Sequence, residues 1–316
     1  MLNRFLRRFW AWPSELQRLG VLGMNRRNAE LVLPLNPRAN FPNVDDKLRT
    51  KSLCTKYQIG VPATIAVLNH LSELKKLPAT LSACSEFVVK PARGSGGRGI
   101  IVVAGRHGDR LVTPSGREYT EADLRHHCAE IMSGLYSLGG HTDSVIVEQR
   151  IVCHPIFNRF AVGGTPDIRV IVYRGEPAMA MARLPTKTSQ GKANLHQGAV
   201  AAAIDLHSGT AYGGVWRNRV VTGHPDTEAS LADLEIPHWP QVLEYACRLA
   251  SGLGLGYVGI DLVIDQANGP LVLEANARPG LAIQLANRQG LLIAIQRIDA
   301  ALSRNKIRIL PNSQIA

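Results

Sequence analysis

The segment that most constrains this chain lies near its C-terminus, where Val258–Asp265 is followed by a short polar connection and then Pro270–Arg278. Both arms are rich in Val, Ile and Leu, and Gln266–Gly269 between them carries a strong turn signal, so a β-hairpin is predicted. Pairing Asp265 with Pro270 across a four-residue loop sets Ile264 opposite Leu271 and Asp261 opposite Glu274. Residues two apart share a face of the pleat, so Asn276 projects beside Glu274. Leu262, Ile264, Leu271 and Leu273 alternate onto the other face, which argues against a surface hairpin with solvated acids. Like charges directly opposite destabilise a sheet unless something cationic lies between them. Asp261, Glu274 and Asn276 together offer the oxygen donors that Mg²⁺ takes, and suit a magnesium that also grips phosphates.

Composition narrows the alternatives. A chain of 316 residues is long enough for two or three subdomains with a real core. A net charge of +11 admits nucleic acid, a membrane surface or an anionic small substrate as partner. The Lys and Arg are dispersed and only 5% of residues are aromatic, so a nucleic-acid role is not expected. Cys54, Cys84, Cys128, Cys153 and Cys247 are odd in number and far apart, which suits free thiols in a reducing cytoplasm. No apolar run approaches the roughly 20 residues that span a bilayer. Residues 1–12 are basic and amphipathic, with aromatics interleaved among Arg4, Arg7 and Arg8. A first helix with its aromatic face packed on the domain is the favoured reading, and weak contact of residues 1–12 with a membrane surface the alternative.

Periodicity and breaker residues predict helices over about 45–58, 121–135, 239–253 and 281–303. Strands are expected over 86–90, 100–104 and 144–152, with a β-meander over 167–183 turning at Arg174–Pro177. Residues 185–198 read as a polar loop, and 199–205 as either a strand or a short helix. Strands and helices mix without regular βαβ alternation, so the fold class is α+β rather than one doubly wound sheet.

A second constellation suits phosphate. Val88–Ile100 joins two strands through glycines at 94, 96, 97 and 99, which let backbone N–H groups turn inward around an anion. No Gly-Lys-Ser/Thr follows and no helix opens after it, so it is neither a P-loop nor a dinucleotide fingerprint. Lys90 stands on the preceding strand, within reach of phosphates under the loop. Val145–Ile151 is an apolar strand that could lie beside an adenine, with Glu148 either serving base or ribose or standing exposed on an edge strand. Asp167 and Arg169 share a strand face, which suits an arginine held by its neighbour and aimed at a phosphoryl oxygen, or a structural ion pair. Asn194 and His196 follow the polar loop; a lone histidine is more often structural than catalytic.

Taken in order, Lys51, Lys90 with the glycine loop, Glu148, Asp167–Arg169, Asn194–His196, Asp261, Glu274 and Asn276 resemble the ATP-grasp superfamily of carboxylate–amine ligases, over roughly residues 46–300. Asp-Ile-Arg, Asn-Leu-His and Glu-x-Asn-x-x-Pro-Gly are most similar to the α-L-glutamate ligase group, which includes the ribosomal-protein glutamate ligases. The resemblance implies two α+β lobes clasping ATP. It divides the chain into a reduced N-terminal segment (1–45), a linking region (46–84), a lid subdomain (85–147), a C-terminal subdomain with the metal site (148–305) and a tail (306–316). It implies ATP held by Lys51, Lys90, Gly94, Ser95, Gly96, Gly97, Gly99, Glu148, Gln149 and Ile151. The metal, Mg²⁺ or Mn²⁺, would be held by Asp261, Glu274 and Asn276. Catalytic roles would fall to Arg169, Arg278, Asn194 and His196. Arg278 departs from the small polar residue of that group and implies a second anionic group on the substrate. The partners implied are an amino-acid or peptide carboxylate and an amine, joined through an acyl phosphate.

Overall fold

The computed structural model describes residues 12–94 and 96–309. Ser95, residues 1–11 of the expected N-terminal helix and residues 310–316 of the expected tail lie outside the described residues. In chain order the strands are β1 (Thr64–Leu68), β2 (Phe87–Pro91), β3 (Ile101–Val103), β4 (Gly105–His107), β5 (Arg110–Val112), β6 (Glu118–Tyr119), β7 (Val145–Glu148), β8 (Asp167–Tyr173), β9 (Glu176–Leu184), β10 (Val200–Ile204), β11 (Ala211–Trp216), β12 (Arg219–Val221), β13 (Tyr257–Asp265) and β14 (Gly269–Asn276). The helices that matter here are α1 (Pro13–Arg18), α2 (Lys47–Lys56), α3 (Glu121–Met132), α4 (Trp239–Leu253), α5 (Ile283–Asn287) and α6 (Leu291–Ile309).

The strands form a seven-stranded sheet in the order β12-β11-β10-β9-β8-β13-β14, a four-stranded sheet β1-β7-β2-β3 and a small β4-β5-β6 sheet. Each pairing is antiparallel, consistent with the α+β rather than doubly wound class. One face of the large sheet is apolar because even-numbered residues of β8 and β13 point to it: Ile168, Val170, Leu262 and Ile264 pack against Val242, Ala246, Leu249 and Leu253 of α4. Those α4 positions recur at helical spacing, with a proline in the first turn and Gly254 in the left-handed region after the last. On the opposite face Ile171, Tyr173, Met179 and Met181 are covered by Leu22, Leu31 and Val32 and by Ile283, Leu291 and Ile295. The four-stranded sheet packs Val89 and Val147 on Leu124, Cys128 and Ile131 of α3.

Several expectations change. The hairpin turns one residue earlier than predicted: Asp265 pairs with Gly269 and Leu262 with Val272, and a bulge then restores Asp261 opposite Glu274. The early turn also alters the faces. Val272, not Leu271 or Leu273, shares the core with Leu262 and Ile264, and Leu271 lies opposite Val263 on the other side. The helix expected over 281–303 is two helices, parted where Gly290 meets Gly20; a Cβ at Gly290 would fall 1.9 Å from the Gly20 carbonyl carbon. Residues 199–205 resolve as strand β10. The segment expected only as a short basic lead-in is helical from Met24 to Leu35, with π-helical turns over Arg27–Val32.

Candidate active site

The site is built on three neighbouring strands. Asp261 on β13 stands opposite Arg169 on β8 and opposite Glu274 on β14, so the three residues form one row across the sheet. Asn276, two residues beyond Glu274, places its amide 3.3 Å from Asp261 Oδ2 and 3.4 Å from Glu274 Oε1. Gly259 permits the return of the chain beyond β14: a Cβ there would lie 2.7 Å from Pro279 Cβ. That close approach holds Arg278–Gly280 against the row.

The sequence pattern suggested that Asp167 holds Arg169, and the structure corrects this. Arg169 donates from Nε to Asp261 Oδ1 (2.6 Å) and from Nη2 to Oδ2 (2.5 Å), a bidentate pair. Asp167 is instead held by Arg183, opposite it on β9, and Arg183 also reaches Asp261 Oδ2 at 2.9 Å. Burial alone would raise the Asp261 carboxyl, but the Arg169 and Arg183 guanidiniums outweigh it and hold it well below the usual carboxylate range. Burial raises the Asp167 carboxyl despite Arg183, and the Asp261 charge adds to the effect. Glu274 forms no ion pair among the described residues and is half-buried beside the Asn276 amide.

The second half of the site comes from the small sheet and α2. Glu148 is 2% exposed and lies in the interior strand β7, between β1 and β2, not on an edge. Its carboxylate accepts from Lys51 Nζ at 2.6 Å and pairs with Lys90. One lysine meets each oxygen, so Glu148 acts as a counter-ion that orders two lysines and keeps acceptor capacity on both oxygens. The Gln149 N–H donates to the Ala63 carbonyl at 2.8 Å, and Gln149 is exposed while Ile151 is half-buried at the strand's end.

Lys47 was missed at the sequence level. Asp46 caps α2 by accepting the Leu48 N–H at 2.9 Å, which places Lys47 in the first turn. From there Lys47 Nζ donates to the Gly94 carbonyl at 2.6 Å, at the entrance to the glycine loop. Burial lowers its pKa below 10.5, the Glu274 charge opposes this, and Lys90, Asp143 and Glu148 also act on it. Lys47 and Lys51 are four apart on one helix face, a spacing that was available as a signal.

The glycine loop is held at both ends. Gly94 bridges to Ser137, whose hydroxyl donates to Asp143 at 2.7 Å. His127 Nε2 bonds the Gly99 carbonyl at 3.0 Å, and a Cβ on Gly99 would strike the Tyr136 ring at 2.6 Å. Between these anchors Gly96 and Gly97 are exposed with φ of +66° and +72°, a conformation that turns successive N–H groups toward one side.

The remaining candidates make no hydrogen bond or ion pair with the row among the described residues. Arg278 is exposed and stacks over the Phe41 ring at 5.3 Å. Asn194 caps a short turn by accepting the His196 N–H at 2.9 Å, and His196 is exposed. The donor chemistry fits Mg²⁺ at Glu274, Asn276 and Asp261 Oδ1, which accepts only one of the bonds made to Asp261; Oδ2 is already crowded by three donors.

A family model described as "Sugar-transfer associated ATP-grasp" matches residues 26–300. The chain is 23% identical over 250 residues to a probable α-L-glutamate ligase of Thioalkalivibrio sulfidiphilus, covering 79% of this chain and 61% of that protein. It is 24% identical over 248 residues to a ribosomal protein bS6–L-glutamate ligase of Salmonella paratyphi B, covering 78% and 60%. It thus spans about three-fifths of the length of these curated relatives. Among solved structures, the biotin carboxylase of Campylobacter jejuni matches with a TM-score of 0.51 at 15% identity, over 81% of this chain and 46% of that one, a likeness of fold.

Proposed function

The chain belongs to the sugar-transfer associated ATP-grasp family, and from that premise we propose that it is an ATP- and Mg²⁺-dependent ligase joining a carboxylate to an amine through an acyl phosphate. The observation that carries this reading is Lys47, which reaches from α2 to the Gly94 carbonyl while Glu274 acts on its charge. One ammonium thereby stands at the entrance to the glycine loop within the field of the acidic hairpin, which supports phosphates bound there.

Lys47 and Lys90 bind the phosphate oxygens, Lys90 being ordered from the side by Glu148. The N–H groups at Gly96–Gly99 cover the same oxygens, and the loop over residues 94–99 excludes water that would hydrolyse an acyl phosphate. Arg169 is oriented by Asp261, and its Nη1 has no acceptor among the described residues. It faces the transferred phosphoryl group. Glu274, Asn276 and Asp261 would hold Mg²⁺ (or Mn²⁺), which when bound supplies charge neutralisation at the β- and γ-phosphates.

A carboxylate oxygen attacks the γ-phosphorus, the bond to the β-phosphate oxygen breaks and ADP leaves. The amine nitrogen then attacks the acyl carbon, inorganic phosphate leaves, and the amine gives up a proton. Arg278 orients an anionic group of the substrate, and Asn194 and His196 border the acceptor. Glutamate or a similar amino acid is the substrate class that the glutamate-ligase relatives favour. The odd, unpaired cysteines suit the reducing cytoplasm, where we place the reaction.

The test is ADP release with Mg²⁺-ATP across a matrix of amino acids and di-acids, with mass spectrometry of the products. A new mass equal to acid plus amine minus water, formed together with ADP, is expected. ADP with a phosphorylated acid and no amine consumed would make the protein a phosphotransferase instead.

A further inference from the structure

Trp12, Leu16 and Leu19 lie at helical spacing on and beside α1, and are 59%, 38% and 55% exposed. The helix buries none of its residues.

The arm continues onto α5 and α6. The Leu19 carbonyl accepts from Gly290 N–H and the Gly20 carbonyl from Leu292 N–H, both at 3.1 Å, while Leu22 N–H donates to Gln284 Oε1 at 2.8 Å. A Cβ on Gly20 would stand 2.6 Å from Ile293 Cγ1, so Ile293, itself exposed, abuts the arm. Leu285 is exposed one residue from Gln284. The same arm and helices carry Arg18, Arg288, Arg297 and Arg304, all exposed and none in an ion pair among the described residues. Ile293, Arg297 and Arg304 follow the four- and seven-residue spacing of one helix face. Of the nearby carboxylates, Asp299 accepts from the Tyr173 hydroxyl and pairs with Arg174, Asp205 accepts from the His207 and Ser208 N–H groups, and Glu15 accepts from Trp12 N–H within the arm. The same chemistry continues in the preceding sequence, where Leu2, Phe5, Leu6, Phe9 and Trp10 alternate with Arg4, Arg7 and Arg8.

We propose that the face formed by α1, α5 and α6 docks on an anionic lipid bilayer. Its apolar side chains would enter the headgroup boundary and its arginines would pair with lipid phosphates. A second copy of the chain fits poorly, because a two-fold contact would press arginines onto arginines. Nucleic acid would answer the arginines and leave Leu19, Leu285 and Ile293 without a partner.

The test is flotation of the full chain with vesicles of phosphatidylcholine alone and of phosphatidylcholine with phosphatidylglycerol. Binding is expected only with phosphatidylglycerol present, falling as salt rises. The paired variants Leu19→Gln/Ile293→Gln and Arg297→Glu/Arg304→Glu should each reduce partitioning about tenfold, with thermal melting and ATP turnover unchanged. No partitioning, equal binding to neutral vesicles, or variants that bind like the parent would overturn the proposal. So would RNA binding of equal strength that ignores the Leu19/Ile293 change.

Discussion

Arg169 and Asp261 stand opposite each other on adjacent strands, joined by two parallel hydrogen bonds of 2.6 and 2.5 Å. Arg183 shares the same carboxylate, so two guanidiniums and two carboxylates balance within the sheet. Removing one cation should break that balance. Arg183→Met is expected to cost about 3–5 kcal/mol, because it strands the buried Asp167 charge. Urea denaturation measures it. The freed Asp167 carboxyl rises further and takes a proton as pH falls, so the deficit should be smaller in mild acid than in alkali. In the parent, Asp261 has a depressed folded pKa, so its contribution is fully present above the ordinary carboxylate value of 3.8 and is lost as pH falls from there toward the folded value.

Glu274 lacks an ion-pair partner among the described residues, so its charge is not needed to hold the fold. Glu274→Gln should leave the melting temperature nearly unchanged. ADP formation in a single turnover should fall about a hundredfold or more, with a raised Mg²⁺ requirement. Turnover at the parental rate would remove Glu274 from the proposed metal set.

Lys47→Met should weaken Mg²⁺-ATP binding by about one to two orders of magnitude, since it removes a half-buried phosphate partner. Burial lowers the Lys47 pKa below 10.5, so the charge that grips phosphate is lost earlier in alkali than for an ordinary lysine. Lys51 shifts in the same direction, also through burial. Calorimetric titration should therefore show affinity declining below pH 10.5, with a shallower decline in the Lys47→Met variant.

The loop glycines should not respond alike. Gly97→Ala meets open space and pays only for its positive φ, about 1 kcal/mol. Gly99→Ala also strikes the ring of Tyr136, whose hydroxyl is tied to Glu130 at 2.8 Å. The second variant should lose more stability and more ATP affinity, measured by melting and by nucleotide titration.

The Asp261–Glu274 juxtaposition was legible because alternation and a turn signal suffice to place two carboxylates on one face. The route to it was not: the early turn and the later bulge cancel, and a bulge leaves no mark in hydrophobic alternation. Arg169's partner was misread because residues two apart on a strand share a face but diverge, whereas a neighbouring strand supplies the closer carboxylate. Of the two readings of Glu148, the exposed edge charge fails because strand order cannot be read from one strand; β7 is interior and Glu148 a buried counter-ion. Lys47 lay in plain view at helical spacing from Lys51; only its reach to Gly94 required the fold. The split between α5 and α6 depends on Gly20, some 270 residues away in sequence, and no local pattern carries that.

The acyl phosphate is tested most directly by isotope transfer. With the acid substrate labelled with ¹⁸O in its carboxylate, a complete turnover with ATP and amine should place one labelled oxygen in the released inorganic phosphate. Amide formed with unlabelled phosphate, the labelled oxygen leaving in AMP or water instead, would contradict the account.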